Sequence, residues 1–263
     1  MNQDDRQKLI LHELNQSYTL SVSQLAQLLQ VSEMTVRRDI SVLEKNNKVT
    51  TFYGGVSLHQ NGSVDLSSTQ SRTGYYSVEH ESLRQVSEKD RIARKAASLI
   101  EPSDVLMIDM GSTCHLMVDY IDDSSNHIVY TYSLEVFNNC LRKDNLRTVL
   151  CGGYYYENTR MFESPEGVAA LKNASFNKAF FGAMGISSTA GVSAMHTYEV
   201  ATRKAALESS CQKILLVDST KMGKAWYVKY GDLSDFDILI TDDNISTEHI
   251  NMVRDSGIEL IIV

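Results

Sequence analysis

The sequence is short of cysteine, of excess positive charge and of long apolar runs, and each shortage closes off a class of protein. Its four cysteines, Cys114, Cys140, Cys151 and Cys211, share no Cys-x-x-Cys or Cys/His ligand spacing. Neither a structural zinc site nor a disulfide framework is expected, and all four read as reduced thiols. No apolar h-region stands near the first residue and no apolar run is long enough to cross a bilayer, which predicts a cytoplasmic protein with no membrane partner. There is no P-loop, and Gly152-Gly153 is not a dinucleotide fingerprint, so no cofactor and no metal are expected. The formal charge of -8 at pH 7 has the wrong sign for a chain that meets a polyanion over its whole surface. Any contact with nucleic acid must be local.

What is present divides the 263 residues in two. Leu9, Ile10 and Leu14 give a short amphipathic helix that ends at Asn15-Gln16-Ser17. Ser21, three residues before Gln24, has the capping-box spacing and opens a second helix with the stripe Leu25, Ala26, Leu28 and Leu29. Gln30, Val31 and Ser32 make a tight connection. A third helix starts with Ser32 as N-cap and puts Val36, Ile40 and Leu43 on one face. Two helices joined by about three residues, with small Ala26 where they approach, form a helix-turn-helix pattern. Val49 to Tyr53, closed by Gly54-Gly55, is where a winged variant places its wing. Residues 58–76 are rich in Asn, Gly, Ser and Thr without apolar period and read as a linker between domains at 1–57 and 77–263.

From Ser87 onward, helices alternate with short apolar strands. Ile92, Ala93, Ala96, Ala97 and Ile100 form a helix face closed by Pro102. Strands are expected at Val105–Asp109, His127–Thr131, Arg147–Cys151, Lys178–Gly182, Lys213–Asp218, Phe236–Asp242 and Ile258–Val263. Helices fit at Cys114–Ile121, Leu134–Leu141, Pro165–Asn173, Tyr198–Ser210 and Thr247–Ser256. This alternation predicts an α/β domain with a mostly parallel sheet covered on both faces, and a ligand crevice at the carboxyl ends of the strands.

Two sets of candidate residues follow. In the third helix, Met34, Thr35, Arg37 and Arg38 stand behind the Ser32 cap, where a recognition helix meets bases and phosphates. Residues 1–57 hold six Lys or Arg (Arg6, Lys8, Arg37, Arg38, Lys45, Lys48) against six Asp or Glu. One neutral copy holds DNA weakly, which predicts a homo-oligomer on repeated half-sites. In the larger domain, Asp109-Met110-Gly111-Ser112-Thr113 joins a strand to a helix: Gly111 permits close approach of an anion, Ser112 and Thr113 donate hydroxyls, and Asp109 accepts from a sugar hydroxyl. Tyr132-Ser133, Gly152-Gly153, Gly182 and Lys221 stand at further strand ends and converge on the same crevice if all strands are parallel. Glu199 and Lys204 lie on a helix that either reaches this pocket or faces solvent. His115, His196 and Glu199 match no nucleophile-base arrangement, so no catalytic residue is assigned.

Taken in order along nearly the whole chain, these motifs resemble the DeoR family of sugar-metabolism repressors. The stretch Val31 to Ile40 with Leu43-Glu44, the Gly54-Gly55 pair, Glu88-Lys89 with Ile92 and Ala96, the Asp109–Thr113 loop, Gly152-Gly153, and Asp218 with Lys221-Met222-Gly223 carry the resemblance. It implies a sensor with the fold of ribose-phosphate isomerase-like and CoA-transferase-like proteins, a phosphorylated sugar as effector, double-stranded operator DNA as partner, DNA contact at Thr35, Arg37 and Arg38, and effector contact at Asp109, Gly111, Ser112, Thr113 and Lys221. Thr51 and Tyr53 stand where the family usually has Arg and His in the wing, and Thr131-Tyr132-Ser133 stands where Thr-Asn-Ser is common. Tyr132-Ser133-Leu134 and Cys151-Gly152-Gly153 resemble the deoxyribonucleoside branch, which makes a deoxyribose phosphate one candidate. The expectation is a repressor released by a phosphorylated sugar; an activator of the same architecture and a sugar-phosphate isomerase-like enzyme are the alternatives.

Overall fold

The computed structural model describes residues 3–17, 19–20, 22–46, 48–52, 55–58 and 77–263. The chain falls into two units, Met1–Tyr75 and Tyr76–Val263. In the first, α1 (Gln3–Ser17), β1 (Thr19–Leu20), α2 (Val22–Leu29) and α3 (Glu33–Lys45) precede β2 (Val49–Phe52) and β3 (Gly55–Leu58). Ile10, Leu14, Leu25, Ala26, Leu29, Val36, Ile40 and Leu43 close one small core with Val49 and Val56. Residues three and four apart on each helix supply it, as burying one stripe requires. Leu28, expected in the α2 stripe, is instead 50% exposed.

Between α2 and α3 the chain turns sharply at Gln30 (φ 54°), and Val31 N–H bonds back to the Ala26 carbonyl at 3.1 Å. The strands form an antiparallel sheet in the order β1-β3-β2, with the β2–β3 hairpin as the wing. Ser21, Tyr53, Gly54 and the expected linker lie outside the described residues, apart from Leu58 at the end of β3.

The second unit opens with α4 (Val78–Ser82) and α5 (Val86–Ala97), followed by β4 (Val105–Ile108), β5 (Ile128–Thr131), α6 (Leu134–Cys140) and β6 (Arg147–Leu150). A short hairpin, β7 (Tyr154–Tyr156) and β8 (Met161–Glu163), leads to α7 (Pro165–Lys172) and β9 (Phe176–Gly182). Then come β10 (Gly185–Ser187), β11 (Gly191–Ala194), α8 (Tyr198–Glu208), β12 (Ser210–Leu216) and β13 (Val228–Gly231), and finally β14 (Ile238–Thr241), α9 (Thr247–Asp255) and β15 (Glu259–Ile262). The segment expected as a helix from Cys114 to Ile121 is a 3-10 helix, Cys114–Tyr120.

Seven strands make one wholly parallel sheet in the order β15-β14-β12-β9-β4-β5-β6. Alternate residues of each strand feed two cores. Leu106, Ile108, Phe180, Ile214, Leu216, Ile238 and Ile240 pack with Ile92, Ala93 and Ala96 of α5 and with Met117 and Val136. Met107, Ala179, Phe181, Leu215 and Leu239 pack on the other face with Leu171 of α7, Ala205 and Ala206 of α8 and Val253 of α9. Each Leu, Ile, Val, Phe or Met among them contributes about 1.5–3 kcal/mol on burial. A small antiparallel sheet, β10-β11-β13, adds Ile186, Val192 and Tyr230 to the second core.

This strand order fixes where a ligand crevice opens. From β4 the chain continues through β5 and β6 on one side, then returns to β9 on the other and runs on to β12, β14 and β15. The switch point is therefore between β4 and β9, where the loops at the carboxyl ends part in opposite directions.

Candidate functional site

In the first unit, the Ser32 side chain accepts from Thr35 N–H, and the Ser32 and Thr35 hydroxyls lie 2.9 Å apart, so the cap also orients Thr35 at the start of α3. Met34 is 67% exposed, and Arg37 and Arg38 are exposed beside it. Arg37 reaches Glu33 at 3.6 Å, a surface pair that solvent screens and that leaves the guanidinium available. Asp39, on the buried side of α3, is held by Arg6 of α1 through bonds of 2.6 and 3.2 Å. That pair ties α1 to α3, and neither spacing nor composition marks it in the sequence.

The second unit has a pocket at the β4/β9 switch point, about 470 Å³ with the open solvent at its mouth. Met110 to Cys114 after β4, Gly182 to Met184 after β9, and Leu216 to Asp218 with Lys221 after β12 form its walls, joined by Glu81, Glu199 and Arg203. Gly111 has φ +123°, and a Cβ there would meet nothing within 4 Å, so the loop uses glycine for its backbone conformation and leaves open space above it. His115 Nδ1 lies 2.9 Å from the Gly111 carbonyl and steadies the turn. Gly182, Ser112, Thr113, Glu199 and Lys221 are thus brought together as the sequence suggested.

Asp109 is not on the pocket wall. It is fully buried, and its two oxygens accept from Met110 N–H (2.8 Å), Tyr132 Oη, Gly182 N–H (3.0 Å) and Arg203 Nε (3.0 Å). Four donors leave it no capacity for a sugar hydroxyl. It clamps the ends of β4 and β9 and positions Arg203, whose Nη1 donates to Glu199 at 2.6 Å and whose guanidinium lies 4.8 Å from the Tyr230 ring centre. Burial pushes the Glu199 carboxyl up to about 7 against the pull of Arg203, with Asp109 adding to the rise. Sequence reasoning missed Arg203 and chose its neighbour Lys204, which is exposed on α8 and does not line the pocket.

Four other expected residues fall elsewhere because other contacts claim them. β5 flanks β4 as β12 flanks β9, yet the residues expected after β5 and β6 are not on the pocket wall. Tyr132 is buried and reaches the site only through its bond to Asp109. Ser133 caps α6, accepting from Val136 N–H at 3.3 Å. The Gly152 carbonyl accepts from Ser164, and Gly153 (φ +148°) packs so closely on Glu163 that a Cβ would come 2.3 Å from its carbonyl oxygen. Gly153 thus lets the β8–α7 connection pass, whereas a Cβ on Gly152 would meet nothing within 4 Å, and neither lines the switch-point pocket.

The far wall carries the charges. Asp242 fixes the loop after β12 by accepting from Ser219 N–H (2.6 Å), Ser219 Oγ (2.9 Å) and Asn244 N–H (3.0 Å). Burial alone would raise this carboxyl, but the bonds outweigh it and hold it below its usual range. Asp218 Oδ1 accepts from Thr220, whereas its buried Oδ2 has no hydrogen-bond partner among the described residues. Lys221 Nζ is paired with Glu81 of α4. Lys89 of α5, 1% exposed, donates to the carbonyls of Glu81 and Arg84 (2.8 Å) and lies 3.6 Å from the Glu81 carboxylate. The site can therefore offer cations and hydroxyls to an anion and a carboxylate oxygen to a hydroxyl.

Comparisons with known proteins agree with both halves. Residues 6–61 match the DeoR-like helix-turn-helix domain, and residues 84–243 match the DeoR C terminal sensor domain. The deoxyribose operon repressor of Escherichia coli K12 is 29% identical over 258 residues, covering 98% of each chain. The lactose phosphotransferase system repressor of Staphylococcus aureus N315 is 31% identical over 246 residues, covering 92% of this chain and 93% of the relative. Among solved structures, ribose 5-phosphate isomerase A of Methanocaldococcus jannaschii matches with 16% identity and a TM-score of 0.39, covering 51% of this chain and 53% of that one. That score is too low for the function of either protein to bear on the other. With family matches over both units and full-length relatives of this similarity, the chain belongs to the DeoR family of helix-turn-helix transcriptional regulators.

Proposed function

We propose that the protein is a repressor of a sugar or nucleoside catabolic operon, and that a small phosphorylated sugar bound in the switch-point pocket releases it from its operator. The observation that carries this reading is a single chain joining a winged helix-turn-helix to a pocket with an anion-friendly Gly111-Ser112-Thr113 loop, Lys221, and an unpartnered acceptor on Asp218. In this reading the phosphoryl group sits by the loop and Lys221, and Asp218 Oδ2 accepts from a sugar hydroxyl. Asp109, Arg203 and Tyr132 position the walls. The relatives named deoxyribose operon repressor and lactose phosphotransferase system repressor support repression and a sugar-derived effector.

Thr35, Arg37 and Arg38 meet the operator, with Met34 and the Ser32 cap beside them. The neutral charge of residues 1–57 favours several linked copies over one, since each copy adds few phosphate contacts. Regulation is favoured over turnover by the helix-turn-helix domain and by relatives named as repressors, while Arg203 engages both Asp109 and Glu199.

The test is anisotropy of the full chain on DNA from upstream of its own operon at low salt. Arg38→Ala should weaken binding by about 1–3 kcal/mol, roughly 5- to 150-fold, without altering the unfolding of the sensor unit. Absence of operator binding by the wild-type chain would refute the reading.

A further inference from the structure

Resting on the phosphorylated effector proposed above, we infer that Glu81 is an internal occupant of the anion subsite: the effector's phosphoryl group takes Lys221 from the Glu81 carboxylate and so frees α4. Two lysines, Lys221 and Lys89, converge on one carboxylate; Lys221 and Glu81 are 12% and 13% exposed, and Lys89 is 1% exposed. Glu81 lines the same pocket as the Gly111 loop and Lys221, so an anion entering there competes with it for the same cation. A phosphate monoester dianion brings more charge and more acceptor oxygens than a carboxylate, and it is the ligand class able to win that exchange. A neutral sugar brings neither.

The location of Glu81 gives the exchange a consequence. α4 is five residues long, and among the described residues it is tied to the rest of the sensor unit at its two ends. At its start, Val78 is buried and its N–H bonds to the Asn158 carbonyl at 3.2 Å; at its end, Lys89 holds the Glu81 and Arg84 carbonyls and Lys221 holds the Glu81 side chain. The first anchor also leads back to the pocket: Asn158 Nδ2 lies 2.9 Å from His196 Nε2, and His196 N–H donates to Glu199 at 2.9 Å. From α4 the chain passes through residues 59–77 to the wing strand β3. Exchange at Lys221 therefore acts on the point where the sensor holds the tether of the DNA-binding unit, and a two-state element biased by ligand needs no more than this differential contact.

The experiment uses the full chain with inorganic phosphate as probe, reading affinity by titration calorimetry and the amide hydrogen exchange of residues 78–84. In the wild type, phosphate should speed exchange across 78–84. In Glu81→Gln, exchange there should already be fast, and phosphate should bind about tenfold tighter because its internal competitor is gone. Lys221→Gln breaks the same pair from the other side; it should speed exchange at 78–84 while losing phosphate. Unchanged or weaker phosphate affinity in Glu81→Gln, or exchange at 78–84 that ignores phosphate or the Lys221 change, overturns the inference while leaving a phosphorylated effector standing. Failure of both wild type and Glu81→Gln to bind phosphate or any sugar phosphate overturns the inference and the effector class together.

Discussion

Arg203→Met tests whether the buried charges, and not the apolar packing alone, hold the pocket wall. Arg203 is the cation between Asp109 and Glu199, with side-chain exposures of 5%, 0% and 2%, so the variant leaves two carboxylates facing one another behind β4 and β9. Removing one partner of a buried ion pair costs about 3–5 kcal/mol. Asp109 keeps its bonds from Met110, Tyr132 and Gly182, which places the expected loss toward the lower end of that range. Glu199 supplies a signature in pH. Its folded-state value is already raised from 4.5 to about 7, so its protonated form stabilises the fold at low pH, and that stabilisation is lost as pH rises through 7. Without Arg203 the value rises further, so the difference from wild type should be larger at pH 8 than at pH 5.5.

The single tryptophan, Trp226, lies in the sensor unit and reports urea unfolding of that unit alone. A loss below about 1 kcal/mol, or one equal at the two pH values, would refute the reasoning. Arg203→Met combined with Glu199→Gln should regain part of the stability at pH 8, and a double variant no better than the single would count equally against it.

Gly111→Ala should cost roughly 1–3 kcal/mol from its backbone conformation alone, since the added methyl meets no neighbour, and should weaken effector binding by shifting the loop; calorimetric titration and urea unfolding read the two effects. Ser32→Ala should cost about 1 kcal/mol in the first unit by removing the α3 cap, and should weaken operator binding while leaving the Trp226 transition in place. Phe180→Ala, in the centre of the parallel sheet, should cost about 3–5 kcal/mol and shift the Trp226 midpoint accordingly.

The inner strands of the parallel sheet were legible as short apolar runs bounded by turn residues, because burial on both faces requires such runs, while the edge strands β6 and β15 stay partly exposed. The α3 cap and core face were legible for the same local reason: Ser32, Val36, Ile40 and Leu43 obey helix geometry without reference to the rest of the chain. Strand order was not legible. Tyr132-Ser133 and Gly152-Gly153 resemble Gly182 and the Gly111 loop locally, and only the folded contacts show that Tyr132 is spent on Asp109, Ser133 on the α6 cap and Gly153 on Glu163.

Arg203 was hidden because an Arg four residues after a Glu usually marks a solvated helix face. The signal that could have found it is its company, since Glu199, Thr202, Arg203 and Ala206 share one buried face of α8. Glu81 stands just beyond a compositionally polar linker, where nothing in spacing separates a pocket carboxylate from a surface one. Short strands such as β7, β8 and β10, of three residues each, fall below what alternation can reveal.

Whether one ligand pocket controls DNA binding is measured most directly by operator anisotropy of wild type and Gly111→Ala against a panel of pentose, hexose and deoxyribose phosphates. One compound should release the wild type from DNA while Gly111→Ala, which leaves the Lys221–Glu81 pair intact, stays bound at the same concentration. Release of Gly111→Ala at wild-type concentrations, or indifference of the wild type to every phosphorylated sugar, would contradict this.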